Sequence, residues 1–228
     1  MGLLNKKEQT PQSPPNQKHY FNLVKTPKEG SIISKCVNLS GEIKSCEDII
    51  VDGKVKGDIS TSNTLIISSN GVVSGKVTAN EVRVDGTLVG PIEATKVEIT
   101  KGGKTTGYIV ANMAKIDGYI NGDIICKDSL EIEQNAIVTT PKSVAKFIKI
   151  RGSIEGKVIA KELLELLKGG RCKGEIAVKV LRTEIGSILE GSISKYSPTQ
   201  QKDSINEISE VKKPNKTREI KVIKPKKK

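Results

Sequence analysis

The sequence predicts an all-β protein built around a three-sided parallel β-helix of about nine to ten turns, flanked by disordered tails. Three observations predict this fold: a nine-residue pattern that repeats, an apolar–polar alternation within each copy, and a shortage of aromatic residues. The pattern is VDGKVKGDI at 51–59 and returns as VDGTLVGPI (84–92), IDGYINGDI (116–124) and IRGSIEGKV (150–158). A pattern that recurs at a nearly fixed period is typical of a solenoid, in which each copy forms one turn.

Pairs of glycines in G-x-φ-x-G units, where φ is apolar, define the period. The first positions, 15–18 residues apart, are Gly53, Gly71, Gly86, Gly103, Gly118, Ala136, Gly152, Gly170 and Gly186. The second positions, four residues later, are Gly57, Gly75, Gly90, Gly107, Gly122, Thr140, Gly156 and Gly174, with Gly41 as a half-unit at the front and Gly191 as an imperfect one at the back. We expect these glycines at inward corners, where a Cβ would collide with the packed interior.

Within each copy the apolar residues alternate with polar ones, as they do in a strand. Val51, Val55 and Ile59 share one side of an extended chain, and Asp52 and Lys54 share the other. A second short strand precedes each copy, for example at 65–67 and 82–84. With two Phe, four Tyr and no Trp, the chain suits a narrow interior filled by Val, Ile and Leu.

One segment, KELLELLKGG (161–170), is apolar enough to form a helix. In the repeat, however, Leu164 and Leu166 fall 99 residues after Leu65 and Ile67, in the same inward positions. The repeat therefore predicts a strand at this segment.

The formal net charge of +12 is concentrated at the two ends of the chain. Residues 36–194 carry twenty-one basic and twenty acidic side chains, whereas the ends hold the remaining excess of Lys and Arg and seven of the nine prolines. We therefore predict a disordered basic leader over 1–35, a β-helix core over 36–194 and a disordered basic tail over 195–228. A nearly neutral core makes nucleic acid an unlikely primary partner.

The chain shows no pattern of catalytic or metal-binding residues. Cys36, Cys46, Cys126 and Cys172 lack C-x-x-C spacing, and the single histidine, His19, cannot complete a zinc site with them, so we expect reduced cysteines that act as small apolar fillers. No nucleotide-binding G-x-x-x-x-G-K-[ST] loop is present, and no hexapeptide period accompanies a histidine base as in β-helical acyltransferases. The sequence predicts no enzyme and no cofactor.

The two ends of the predicted β-helix lack an obvious cap. A bare end exposes unpaired backbone groups and apolar side chains, and these invite a second rod to continue the ladder. We expect the polymerisation interface at Ile43, Ile49 and Val51 at one end and at Ile185, Ile188 and Ile193 at the other. The alternative is that the flanks cap the ends, leaving a non-polymerising adaptor that binds a polyanion or an acidic partner through its basic tails.

The G-x-φ-x-G units and the progression from VDGKVKGDI through V-x-V-DGTLVGPIEA to VEI resemble the bactofilins, a bacterial family of polymer-forming cytoskeletal proteins. The resemblance covers residues 37–194 and is clearest over 49–125. It implies a right-handed triangular β-helix that polymerises end to end without nucleotide and scaffolds cell-wall-modifying enzymes or other envelope partners, often at a membrane. The segment 129–147 loses the paired glycines, and the second half is either a continuous extension of the rod or a degenerate copy of the first.

Both tails carry groups suited to recruitment. The start of the chain places Met1, Leu3 and Leu4 beside Lys6 and Lys7, which suits weak insertion into an anionic leaflet, multiplied when a filament presents many copies. The chain closes on a basic cluster of Lys221, Lys224, Lys226, Lys227 and Lys228, which suits an acidic partner protein, lipid headgroups or the phosphates of DNA. With no secretory signal or apolar run of eighteen residues in this sequence, we expect a cytoplasmic protein, peripheral at the inner membrane.

Overall fold

The computed structural model of the protein describes residues 30–197, and every regular element within them is a β-strand. The strands are β1 (Gly30–Ile33), β2 (Asn38–Ser40), β3 (Ile43–Ser45), β4 (Asp48–Val51), β5 (Lys54–Lys56), β6 (Ile59–Thr61), β7 (Thr64–Ile67), β8 (Val72–Ser74), β9 (Val77–Val84), β10 (Thr87–Val89), β11 (Ile92–Ile99), β12 (Lys104–Thr106), β13 (Ile109–Ile116), β14 (Tyr119–Asn121), β15 (Ile124–Ile132), β16 (Ile137–Ile150), β17 (Ser153–Leu166), β18 (Arg171–Thr183) and β19 (Ile188–Lys195).

The strands wind into a solenoid with three faces, because each pairs in parallel with the strand one turn later. Face A begins with the pairs β1–β4 and β4–β7, face B with β2–β5 and β5–β8, and face C with β3–β6 and β6–β9. In later turns one long strand bends through a corner, so that β16, β17 and β18 each contribute to all three faces. The described chain makes about ten turns, which confirms the predicted parallel β-helix.

The core is one continuous column of aliphatic side chains along the axis. On face A, residues in register from turn to turn are Val51, Ile67, Val84, Ile99, Ile116, Ile132, Ile150 and Leu166. Each is at most 1% exposed, so every turn packs against the two beside it. Leu164 and Leu166 are fully buried in β17, which confirms the strand predicted at this segment.

The expected reason for the glycines holds at the first positions, where a Cβ on Gly71 would meet the buried Ile67 side chain at 2.9 Å, but is corrected at the second positions, where backbone stacks on backbone. A Cβ on Gly90 would meet the carbonyl oxygen of Gly75 one turn before, not the interior side chains. Gly90 also has a φ of +143°, which L side chains rarely adopt. The second-position glycines repeat this contact from Gly57, which stacks on Gly41, to Gly191, except where Thr140 takes the position with a negative φ.

The glycine pattern misplaces the last turn by one residue. Gly186 matches Gly169, since both have a positive φ and the Gly169 amide donates to the Gly186 carbonyl. Ser187 therefore takes the first position of the unit, and Gly191 stacks regularly on Gly174. The prediction that Gly186 is the first position of the last G-x-φ-x-G unit is wrong. The distance in sequence from Gly170 to the true first position, Ser187, is one residue longer than the count of glycines indicates.

The cysteines divide into two pairs. Cys126 and Cys172 are buried in the core and fill space there as expected. Cys36 and Cys46 lie at exposed corners of the first turns, so the expectation that they are apolar fillers is wrong. All four thiols are free.

The second half continues the rod without a break. Pairing runs from β13 to β15, β16, β17 and β18, straight through the segment that lacks paired glycines. The extra residues there form bulges, for example at Pro141, which is exposed between Thr140 and Lys142. The chain thus adds length at its corners while the inward positions keep their register.

Candidate assembly surfaces

The amino-terminal end of the rod is an open sheet edge. Within residues 30–197, β1, β2 and β3 each pair with a strand on one side only. Their inward side chains are Ile33, which is 9% exposed, and Leu39 and Ile43, which are partly buried and pack against the core. One apolar side chain on each face therefore forms the end of the core column.

The carboxy-terminal end has the same construction. In the described part of the chain β19 pairs only with β18, and the last face A segment of β18 has no strand beyond it. The inward side chains are Leu181 and Leu189, both partly buried, and Ile193, which is 53% exposed. Again one aliphatic side chain per face lies at the end of the column.

The expected interface residues fall in three kinds of place. Ile43 and Ile193 lie inward in the two end turns. Ile49 and Val51 are fully buried one turn inside the amino-terminal end, where β1 pairs over them. Ile185 is 96% exposed at a corner, and Ile188 points outward because it is in register with exposed Arg171.

Four further apolar residues of the end turns were not predicted as interface residues: Ile33, Leu39, Leu181 and Leu189. Strand β1 begins at Gly30, inside the stretch predicted as a leader. Moving one turn back along the chain from the inward residue Val51 leads to Ile33, and moving one turn forward from the inward residue Cys172 leads to Leu189. The alternation of apolar and polar residues could therefore have identified both. The glycine count could not, because the end turns lack complete glycine pairs.

Part of the side surface of the rod carries regular charge, in an outward column that begins with Ile32, Ile50 and Ile66 and is charged from the fourth turn. On face A this column alternates in sign from turn to turn: Arg83, Glu98, Lys115, Glu131, Lys149, Glu165 and Arg182. Glu165 lies 3.4 Å from Arg182 and 3.9 Å from Lys149. Such exposed pairs contribute little individually, but they keep this column polar and its register defined.

Few side chains among the described residues are suited to catalysis or to metal binding. Within 30–197, no cluster of three or more His, Cys, Asp or Glu side chains could hold a metal ion. Burial raises the pKa of Cys126 to about 12 and that of Cys172 to about 11, which makes both thiols poor nucleophiles. A hydrogen bond to Glu93 raises the pKa of Lys76 and keeps this corner lysine charged.

The expected recruitment residues lie outside the described residues. These are the leader residues Met1, Leu3, Leu4, Lys6 and Lys7 and the tail residues Lys221, Lys224, Lys226, Lys227 and Lys228. In the described range no helix is long and apolar enough to cross a membrane.

Comparison with known proteins bears directly on this rod with two open ends. The family model described as "Bactofilin: Polymer-forming cytoskeletal" matches residues 31–116 and again residues 110–194. The chain belongs to the bactofilin family. Each match spans about five turns, so the family pattern occurs twice along one continuous rod.

Two curated bactofilins of Myxococcus xanthus (strain DK1622) are similar to part of the chain. BacP is 35% identical over 77 residues, which cover 33% of this chain and 32% of BacP. BacO is 34% identical over 70 residues, which cover 30% of this chain and 56% of BacO. The matched part thus spans about a third of one relative and just over half of the other. No solved structure matches the chain.

Proposed function

We propose that this bactofilin assembles end to end into filaments and acts as a structural scaffold. The observation that carries the proposal is that, within residues 30–197, each end of the rod has strands without a partner on one side, around three aliphatic side chains. Joining two ends continues the hydrogen-bonded ladder and removes these side chains from water. Full burial of an exposed Leu or Ile is worth roughly 1.5–3 kcal/mol. Each of the six side chains at a junction gains only the fraction of this that it still exposes, from 9% at Ile33 to 53% at Ile193, and the entropy of association is subtracted from the sum.

This assembly needs no nucleotide, because the driving force is burial and backbone pairing at preformed edges. The alternating charge on one outward column of face A resists dehydration at that column. The neighbouring outward column of the same face carries Phe147, Leu163 and Val180, so the charge protects only part of this side. A filament of rods would repeat the same lateral surface once per rod, which suits a scaffold that presents the same docking groups at regular intervals.

We further propose that the two tails recruit other components to the filament. Met1, Leu3 and Leu4 with Lys6 and Lys7 are suited to a weak contact with an anionic membrane surface. The closing lysines, from Lys221 to Lys228, are suited to acidic protein or lipid partners, among which envelope-modifying enzymes are the proposed class. Many weak tails on one filament would act together through avidity.

High-speed sedimentation of end variants tests the assembly proposal. Ile193→Lys places a charge at the inward end position, whereas Ile188→Lys places the same charge on the outward side of the same strand. We expect the first variant to stay in the supernatant and the second to pellet like the unchanged protein, with both retaining β-sheet circular dichroism. Equal pelleting of the two folded variants would contradict end-to-end assembly through this surface.

Binding to vesicles with anionic lipid tests recruitment separately. Removal of residues 1–7 should reduce cosedimentation with the vesicles and leave filament formation intact. Unchanged vesicle binding after this removal would refute a role for the leader.

A further inference from the structure

Face C carries an apolar column on its outer side in the second half of the rod. The outward residues in turns one to four are polar: Lys44, Ser60, Thr78 and Glu93. From the fifth turn they become Val110, Ile125, Val144, Ile159 and Ala177, which are in register on successive turns. We call these five residues the face C stripe.

The centre of the stripe is buried although it faces away from the core. Val144 is 9% exposed and Ile159 is 0% exposed, yet neither belongs to the core cluster that contains Ala145, Val158 and Ala160. Val110 and Ile125, on the same column, remain partly exposed. Because the column neighbours of Ile159 are the smaller Val144 and Ala177, its burial indicates a cover over the outer side of the sheet.

Ion pairs border the stripe on both sides. Lys157 pairs with Glu175 at 2.9 Å along the corner between faces B and C. Lys146 pairs with Asp128 at 2.7 Å and Lys179 with Glu162 at 2.6 Å along the corner between faces C and A. The result is an apolar strip about 20 Å long, at roughly 4.8 Å per turn, between two charged rims.

The chain leaves the described rod beside this strip. The last part of β19 lies on face C of the tenth turn, where Ser194 is in register with Ala177. The described chain ends at 197, and residues 198–228 continue from there. Seven extended residues, from 198 to 204, reach roughly 23 Å, which is enough to return to the eighth turn.

A segment of this continuation matches the stripe in pattern. Residues 204–213 read SINEISEVKK, with Ile205, Ile208 and Val211 three residues apart. Ser204 and Glu207 have the spacing of a capping box, and Pro214 follows the two lysines that close the segment. In a helix these apolar residues would be about 4.5 Å apart along the axis, close to the roughly 4.8 Å between turns of the solenoid.

We propose that residues 204–213 dock on the face C stripe as a short amphipathic helix parallel to the rod axis. Ile205, Ile208 and Val211 then lie over Ala177, Ile159 and Val144. Disordered chain of this composition folds on contact with an apolar surface, which is consistent with the disorder expected for the free tail. Docking shields the only outward apolar column of face C from other rods and holds the closing lysine cluster near the middle of the rod.

Cross-linking tests the proposed position. In a background with Cys36→Ser and Cys46→Ser, the pair Ile205→Cys and Ala177→Cys should form a disulfide within one chain. The control pair, Ile205→Cys with Lys173→Cys, uses an exposed residue of the same strand on face B. We expect the first pair to form its disulfide at least about tenfold faster, as a high effective concentration requires. Equal rates would overturn the proposal.

Mixing chains that carry only Ile205→Cys with chains that carry only Ala177→Cys identifies a contact between copies. The proposal predicts little mixed dimer. Abundant mixed dimer would assign the stripe to a second copy and overturn docking within the chain.

Alkylation of Val144→Cys distinguishes the tail from the leader as the cover. Truncation after Ser197 should raise the alkylation rate several-fold, whereas removal of residues 1–29 should leave it unchanged. The reverse result would assign the cover to the leader. Because this readout does not need filaments, failure of end-to-end assembly would leave the test intact.

Discussion

At the scale of single residues, Gly90 illustrates how a missing Cβ sets the path of the chain. Its φ of +143° and its contact with the Gly75 carbonyl both exclude a side chain. The repeat therefore needs glycine for two independent reasons at this corner. Thr140 occupies the equivalent corner of a turn whose backbone is widened by a bulge, so the exception has a local cause.

Gly90→Ala should destabilise the protein by about 2–4 kcal/mol, from backbone strain together with the overlap against Gly75. The matched control is Gly102→Ala, because Gly102 has no positive φ and its nearest neighbour for a Cβ, the Asp85 carbonyl oxygen, is 3.2 Å away. Chemical unfolding followed by circular dichroism measures both. Equal losses for the two variants would show that the corner contact is unimportant.

Thr105→Val should stabilise the protein by about 1 kcal/mol. Thr105 is fully buried between Leu88 and Ile120, and its hydroxyl has no hydrogen-bond partner among the described residues. Valine has the same shape without the desolvated hydroxyl, so its burial avoids that penalty. The midpoint of chemical unfolding is the measurement. Thr61→Val is the contrast, because the Thr61 hydroxyl donates to the Glu47 carbonyl, and this variant should lose stability.

Thiol reactivity should follow burial. At pH 8 we expect Cys36 and Cys46 to react quickly with a thiol reagent, and Cys126 and Cys172 to react only after unfolding. Burial raises the pKa of Cys126 to about 12 and that of Cys172 to about 11. The contribution of these two thiols to the free energy of unfolding is therefore greatest below about pH 9, and it declines as the pH rises from about 9 towards these values. Four rapidly reacting thiols in the folded protein would contradict the buried positions.

At the scale of elements, each strand is specified by alternation and each corner by glycine, and the two signals differ in reliability. The alternation correctly placed Leu164 and Leu166 inward despite a segment with helical composition. The glycine count placed Gly186 one residue too early, and a one-residue error reverses which side chains face inward. Ile188 was therefore expected at the interface although it points outward, and Leu189 was missed.

The end turns and the exposure of two cysteines were not predicted from the sequence, and the reason is physical. Ile49 and Val51 were expected at an end because the first complete glycine pair begins there, but β1 forms a further turn without a glycine pair. Exposure of Cys36 and Cys46 depends on corner geometry that composition does not reveal. Sequence alternation thus predicts the interior of a solenoid well and its end turns poorly, since the ends lack neighbours that complete the pattern.

The alternating charge of face A makes a prediction at this scale. Glu165→Lys would place three positive charges in register, with Lys149 and Arg182 on either side, and should destabilise the protein by about 1 kcal/mol at low salt. The loss should shrink at 1 M salt, where screening is strong. The control Glu47→Lys changes the net charge equally at an exposed corner. Equal effects of the two substitutions would mean that register along the column has no energetic role.

At the scale of the whole molecule, ten turns give a rod roughly 45 Å long with chemically distinct ends and sides. In the part of the chain that the structure describes, the ends are open edges around aliphatic side chains. One side carries alternating charge, and another carries the face C stripe that we assign to the tail.

The most direct test of end-to-end assembly is negative-stain electron microscopy of the purified full-length protein without added nucleotide or metal. If the rods assemble end to end, we expect filaments a few nanometres wide for the unchanged protein and discrete short rods for the Ile193→Lys variant. Discrete rods of the unchanged protein at every concentration tested would contradict assembly through open ends. That result would favour a non-polymerising adaptor whose ends are capped.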